Sequence, residues 1–336
     1  MVIGTGGLAL KIRLLGLLIG CMVVAACFAV SISIGKTTIP LRIVIEAFIS
    51  FDGSREHLII RSVRLPRAMI AVLVGCSLSV AGSVMQAISR NMLAGPEILA
   101  SNNGAAMLLV IWLFLFGYTS SITQLWVALI GAGAASMIVF LLGSLGRGGL
   151  SSVKLILAGA TINLLLSALV QGVLIFSEQS LDEMRFWLAG SLTGGSLEML
   201  SHVWPYMGLG LAGAIVFSRQ INLLSLGEEI AQGLGLRTSW IKLGALAIIM
   251  CLSGASVALA GPIGFIGLAI PHLARFLVGM DYRWIIPYSA LLGAAILLLA
   301  DIGARFIYPP QELAAGVVTA LLGAPFLIYL AQRRKI

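Results

Sequence analysis

Apolar stretches recur along this chain from end to end, near 14–34, 66–88, 103–117, 124–143, 154–176, 199–217, 240–259, 265–279, 284–303 and 312–331. A helix rises 1.5 Å per residue, so roughly 20 apolar residues cross a hydrocarbon core of about 30 Å. Lipid offers no water to the backbone N–H and C=O groups. Each spanning segment must therefore close its own hydrogen bonds, and a helix does so within one segment. Composition agrees, because 60% of the 336 residues are hydrophobic and only 10% are charged, against about a quarter charged in soluble domains. The sequence predicts an all-α, polytopic membrane protein of about ten transmembrane helices. It forms one transmembrane domain over 1–336, with no soluble domain between the spans.

The formal net charge of +8 does not call for nucleic acid, because the basic residues scatter among the connections between spans. Anionic lipid and partner proteins account for them better. With both termini cytoplasmic, Lys11, Arg13, Arg90, Arg147, Lys154, Arg219, Arg237, Lys242, Arg283, Arg333, Arg334 and Lys335 fall inside, the bias that cytoplasmic loops carry. The outer side keeps a surplus of its own at Arg55, Arg61, Arg64 and Arg67. Cys21, Cys27, Cys76 and Cys251 lie in apolar runs with no CxxC pair, so neither a disulfide framework nor a metal site is expected. There is no Walker-type GxxxxGK[ST] loop, so ATP hydrolysis has to reside elsewhere. The glycine-rich 145–150 segment reads as a flexible turn, since no Lys-Ser or Lys-Thr follows it. No catalytic residue, metal ligand or resident cofactor is expected.

Helical spacing sorts the polar and small residues. Gly75, Ser79, Gly82 and Gln86 share one face, and Gly316, Ala320 and Gly323 make a similar seam. Both let another backbone approach closely. Asn163, Ser167 and Gln171 recur at i, i+4, over roughly 12 Å of helix. Lipid exposure there is costly, which leaves interhelical hydrogen bonding or a pathway lining. A single helix over 240–279 would be about 60 Å long. The chain must therefore turn at Gly261, Pro262, Gly264 and Gly267 and re-enter as a short helix after Pro271, with His272 and Arg275 on one face. Arg275 is expected to reach the inner headgroups or pair with Asp281. The segment 225–236, SLGEEIAQGLGL, reads as a short helix capped by Ser225, with Glu228 and Glu229 in its first turn.

RLPRAMIAVLVGCSLSVAGSVMQAISRNMLAGPEILASNNGA (64–105), SLGEEIAQGLGL (225–236), VALAGPIGFIGLAIPHLARFLVG (257–279), LLLADIGAR (297–305) and GVVTALLGAPFLIYL (316–330) together resemble the permease subunits of ABC importers for ferric siderophores, haem and vitamin B12, the FecCD or BtuC-like family. Met92 departs from the proline usual there. The resemblance implies a BtuC-like type II importer fold in the bacterial cytoplasmic membrane. The cargo it implies is an iron chelate, most often a ferric siderophore. The implied partners are a second permease subunit, identical or paralogous, two ATPase subunits that hold ATP and Mg, and an extracytoplasmic siderophore-binding protein.

The resemblance also assigns roles. Within the loop 218–239, Gly227, Glu228, Glu229, Ala231, Leu234 and Gly235 are the ATPase-coupling residues. Asn91, Leu93, Ser152 and Val153 match the cytoplasmic gate, at the inner end of the stripe Asn163, Ser167 and Gln171. Arg64, Arg67 and Arg305, beside the outer loops 36–65 and 177–198, match positions that receive acidic side chains of the binding protein; headgroup anchoring is the alternative. A secondary transporter would need an intramembrane carboxylate relay. The sequence offers only Asp301 and Glu312, both near an outer helix end.

Overall fold

The structure, a computed structural model, describes residues 5–35, 39–145, 151–176, 178–307 and 312–333. Apolar helices follow one another as α1 (Thr5–Ser33), α2 (Leu65–Ser89), α3 (Ser101–Phe116), α4 (Ser121–Ser144) and α5 (Ser152–Ile175). They continue as α6 (Leu197–Val216), α7 (Thr238–Ala260), α8 (Ile266–Val278), α9 (Tyr282–Ala304) and α10 (Ala315–Arg333). We call the Leu65 end of α2 the outer side and the Ser89 end the inner side. Among the described residues, seven helical stretches are long and apolar enough to cross a membrane, whereas α3 and α8 are shorter and α10 is described in full only over Ala315–Ile328. Length alone thus supports seven spans rather than about ten. The short helices α3 and α8 each begin after a loop or turn that has already entered the protein. The glycine-rich 146–150 segment lies outside the described residues.

Capping residues account for several starts. Ser120, Ser196 and Asp281 accept the N–H groups of Thr123, Met199 and Arg283 at α4, α6 and α9, satisfying donors that an α-helix leaves open. The outer segment 39–64, expected as a loop, is mostly helical, with helices at Leu41–Ile49 and Arg55–Ile59. The second runs through a π-turn at Ile60–Arg64 directly into α2. Pro66 sits in the first turn of α2, directly after the π-turn, and the wider i→i+5 pattern before it eases the loss of its N–H.

The core is built around α2, α7 and α9. In the apolar windows of these helices 78%, 72% and 61% of residues are buried, against 11% in α1 and 17% in α5. Flanks of α1 and α5 are therefore left to lipid or to other chains. The small-residue face of α2 is what lets the core close. Gly75 lies against the backbone of Gly293 in α9, and Gly82 against the Gly267 carbonyl in α8. One turn on, Gln86 Nε2 donates to the Leu268 carbonyl at 3.0 Å. In α10, Gly316 faces the Ala189 carbonyl and donates its N–H to Gly190 O at 2.8 Å, while Gly323 lies under the Phe265 ring. Ala320 is exposed.

The turn between α7 and α8 follows Gly261 (φ +66°), which lies against the Trp187 carbonyl. The Gly190 backbone and Thr319 Oγ1 close around the same turn. Enclosure of this kind is what non-helical backbone at membrane depth requires. Helix α8 begins at Ile266, so Pro271 sits inside it and not before it. The bond Pro271 removes is the one to Gly267 O, the carbonyl that α2 packs against at Gly82.

Candidate functional site

At the outer side, helices α1, α2 and α9 meet at a buried ionic cluster. Arg67 pairs with Asp301 at 2.8 Å and with Glu312 at 2.6 Å, and Arg305 pairs with Asp301 at 2.5 Å. Arg305 also donates to the Ser31 and Ile34 carbonyls at 2.7 and 2.6 Å, and Arg64 to those of Ile32 and Ser33 at 2.7 and 2.8 Å. The last carbonyls of α1 have no acceptor role within their own helix. Cations at a helix C-terminus are favoured by its dipole. Arg64 and Arg305 therefore cap α1, and Asp301, which has no exposure at all, supplies the counter-charge. All three arginines are buried. They are engaged by the chain's own groups. Asp301 and Glu312, four and seven residues from Arg305, carried the signal in the sequence. Beside the cluster an outer cavity of about 790 Å³ is lined by Arg67, Phe186, Trp187, Thr193, Met199 and Glu312.

The polar stripe of α5 is divided. Asn163 accepts from Asn103 Nδ2 at 2.8 Å and donates to the Glu97 carbonyl at 3.0 Å, so it ties α5 to α3 and to the loop that follows α2. Gln171 Nε2 donates to Ser167 Oγ at 3.4 Å on a face that also exposes Leu164. These contacts set the depth of Glu97. Asn163 lies eleven residues from the inner start of α5, roughly 16 Å at 1.5 Å per residue. Pro96 packs on Gly267, the same α8 residue that faces Gly82 of α2. The loop 90–100 thus rises into the helices and places Glu97 at mid-depth, the residue exposed but its carboxyl group folded back over Gly95. A carboxylate facing lipid there is costly, so this surface belongs to a water-filled path or to another chain. Sequence reasoning missed Glu97, because its depth depends on contacts 66 residues away.

The gate candidates lie together on the inner side. Ser152 Oγ donates to the Ile88 carbonyl at 3.0 Å and joins the start of α5 to the end of α2. Asn91 Oδ1 accepts from the Leu93 N–H at 2.9 Å. Leu93 and Val153 are exposed. Arg275, near them, is bound through Nη2 to Gln86 Oε1 and does not pair with Asp281. That carboxylate is taken by Arg283 at 2.6 Å, an interaction that with the Arg283 N–H holds its pKa below the ordinary carboxylate value.

The coupling segment projects from the same side. Its helix, Glu228–Gly233, is preceded by Gly227 without a side-chain cap, whereas Ser225 ends the helix Ser218–Ser225 before it. Glu228 is pinned to α7 by Lys242 at 2.7 Å and by Thr238 Oγ1 at 3.2 Å. Ala231 is buried against the body of the protein, while Glu229, Ile230, Leu234 and Gly235 are exposed. Gly227 (φ +134°) and Gly235 (φ +82°) adopt backbone that other residues reach only with strain. A Cβ at Gly235 would meet nothing within 4 Å, so crowding by this chain does not explain its glycine.

Residues 22–333 match a known family model, that of the FecCD transport family. The chain belongs to the FecCD transport family. Among curated FecCD-like relatives, the probable siderophore transport permease YfiZ of Bacillus subtilis is 46% identical over 90% of this chain and 91% of its own length. The ferric enterobactin permease FepD of Escherichia coli is 42% identical over 91% of each chain. A solved transporter assigned to the metal-chelate ABC type, in an inward-facing conformation, superposes with a TM-score of 0.82 at 30% identity. It covers 98% of this chain and all of its own.

Proposed function

We propose that this FecCD protein is a permease subunit of an ABC importer that carries an iron chelate, a ferric siderophore, inward across the bacterial cytoplasmic membrane. In this reading it has about ten spans in the BtuC-like arrangement, with both termini cytoplasmic. The observation that carries the proposal is the inner segment Glu229–Gly235, exposed apart from Ala231 and pinned to α7 through Glu228 and Lys242. A surface anchored at one end and offered to another subunit is what a transmembrane protein without its own ATPase needs. The partners are a second permease, identical or paralogous, against the open face of α5, two ATPase subunits that bind ATP and Mg, and a siderophore-binding protein outside. Asn91, Leu93, Ser152 and Val153 form the inner gate, and Asn163, Ser167 and Gln171 lie along the path toward it.

Docking of the binding protein on Arg64, Arg67 and Arg305 requires its acids to displace Asp301, Glu312 or the α1 carbonyls. Its affinity should therefore respond to Glu312→Gln as well as to Arg67→Glu. The decisive experiment is chelate uptake in proteoliposomes that hold the complete complex. Uptake is expected to require ATP inside the ATPase-accessible compartment and to be indifferent to proton or sodium gradients. Uptake that follows an imposed gradient and ignores ATP would sink the proposal in favour of secondary transport.

A further inference from the structure

A second cavity, of about 470 Å³, lies between the inner ends of α2, α8 and α9 and the connection from α6 to α7. Gln86, Arg90, Asn222, Arg275, Met280 and Tyr282 are in its wall. Arg275 is 9% exposed. Its Nη2 is held by Gln86 and the Tyr282 hydroxyl also interacts with the guanidinium, while no hydrogen bond of good geometry reaches Nε or Nη1 among the described residues. A buried cation with open donors carries a desolvation cost that an anion would relieve. Asp281, the only acid in the wall, does not relieve it, because Arg283 takes both its oxygens at 2.6 to 3.0 Å. Asn222 Oδ1 is occupied by the Tyr282 N–H at 3.0 Å, which leaves the amide to act toward the cavity as a donor. Arg90 adds a second guanidinium from the exposed rim, held by the left-handed backbone (φ +53°) that ends α2.

Two guanidinium groups and an amide donor, with the one carboxylate already neutralised, select for an anion with several oxygens. Guanidinium forks pair with phosphate through two parallel hydrogen bonds. Apolar surface adjoins the site. Phe276, Leu277 and Met280 at the inner end of α8 are 71%, 64% and 59% exposed.

We propose that this cavity binds a phosphoryl group, carried by the headgroup of an anionic phospholipid or by free phosphate. The site is independent of the transported cargo. The test uses the purified full-length permease in detergent, stripped of lipid. Thermal stability is followed against inorganic phosphate, phosphatidylglycerol and, at matched ionic strength, chloride, and native mass spectrometry counts the lipids retained. Phosphate or phosphatidylglycerol, and not chloride, should raise the unfolding temperature. Arg90→Gln and Arg275→Gln should each weaken the apparent affinity by about tenfold, the loss expected for one charge-assisted hydrogen bond. Protection by phosphate alone identifies the free ion, and protection only by the lipid identifies the headgroup. Arg90→Gln keeps the test valid if Arg275→Gln does not fold, because Arg90 is exposed. The proposal is overturned if neither ligand protects the wild-type protein, or if the ligand that protects it binds Arg90→Gln and every folded Arg275 variant equally well. Protection seen only when an ATPase subunit is present would also overturn it, and would assign the cavity to an acidic side chain of that subunit.

Discussion

Asp301 has no solvent exposure and faces both Arg67 and Arg305, so its charge compensates two buried cations at once. Removing one member of such a network leaves the others unpaired, which costs about 3–5 kcal/mol. Asp301→Ala should therefore lower the unfolding temperature and yield of the purified protein far more than Arg42→Ala, whose exposed i,i+4 pair with Glu46 is worth well under about 1 kcal/mol. Equal losses in the two variants would count against a structural role for the cluster. Asp281 gives a pH-dependent counterpart. Its folded pKa is lowered, chiefly by the Arg283 hydrogen bond. It therefore contributes stability above the ordinary carboxylate pKa and loses it as pH falls through the folded value. Asp281→Asn keeps an N-cap acceptor of equal strength but loses the charge that pairs with the half-exposed Arg283, so it should cost under about 1 kcal/mol near pH 7 and little in strong acid. A melting series in detergent from neutral to acid pH measures it, and a pH-independent difference contradicts the assignment.

Among the elements, the closest approaches are made by glycines whose neighbours were not apparent from spacing alone. Gly82 was legible as part of a small-residue face, but its partner is Gly267, at the start of a helix that the sequence was expected to begin after Pro271. A Cβ at position 82 would overlap the Gly267 carbonyl. Gly82→Val should thus destabilise the fold by about 1–3 kcal/mol or more, read as loss of monodisperse protein in size-exclusion chromatography. Gly227 tests a different property. Its φ of +134° imposes strain on the order of 1–3 kcal/mol on any other residue, confined to a connection on the surface. Gly227→Ala should lower ATPase activity stimulated by the assembled complex while leaving the melting temperature of the helices nearly unchanged. Full stimulated activity would remove this backbone turn from the coupling mechanism.

For the whole molecule, α5 is left largely open by the fold and is the face proposed to meet the second permease. Val153 is 74% exposed, whereas Ser152 is partly buried and bound to Ile88. In the complete complex, Val153→Cys should react with a membrane-impermeant thiol reagent from the inner side faster than Ser152→Cys, and its rate should change with nucleotide. Labelling of Val153→Cys that never responds to nucleotide counts against a gate at this position. Local chemistry alone determined the long apolar helices, the small-residue face of α2 and the short segment at Glu228–Gly233, because apolar runs, glycine spacing and turn residues act over a few neighbours. The fates of Arg64, Arg67 and Arg305, and the mid-depth position of Glu97, were decided only by tertiary structure. Arg67 and Asp301 are 234 residues apart, and Glu97 and Asn163 are 66 apart. Whether a charge faces solvent, lipid or a counter-charge depends on which helix ends the packed fold brings together, and no local pattern carries that pairing.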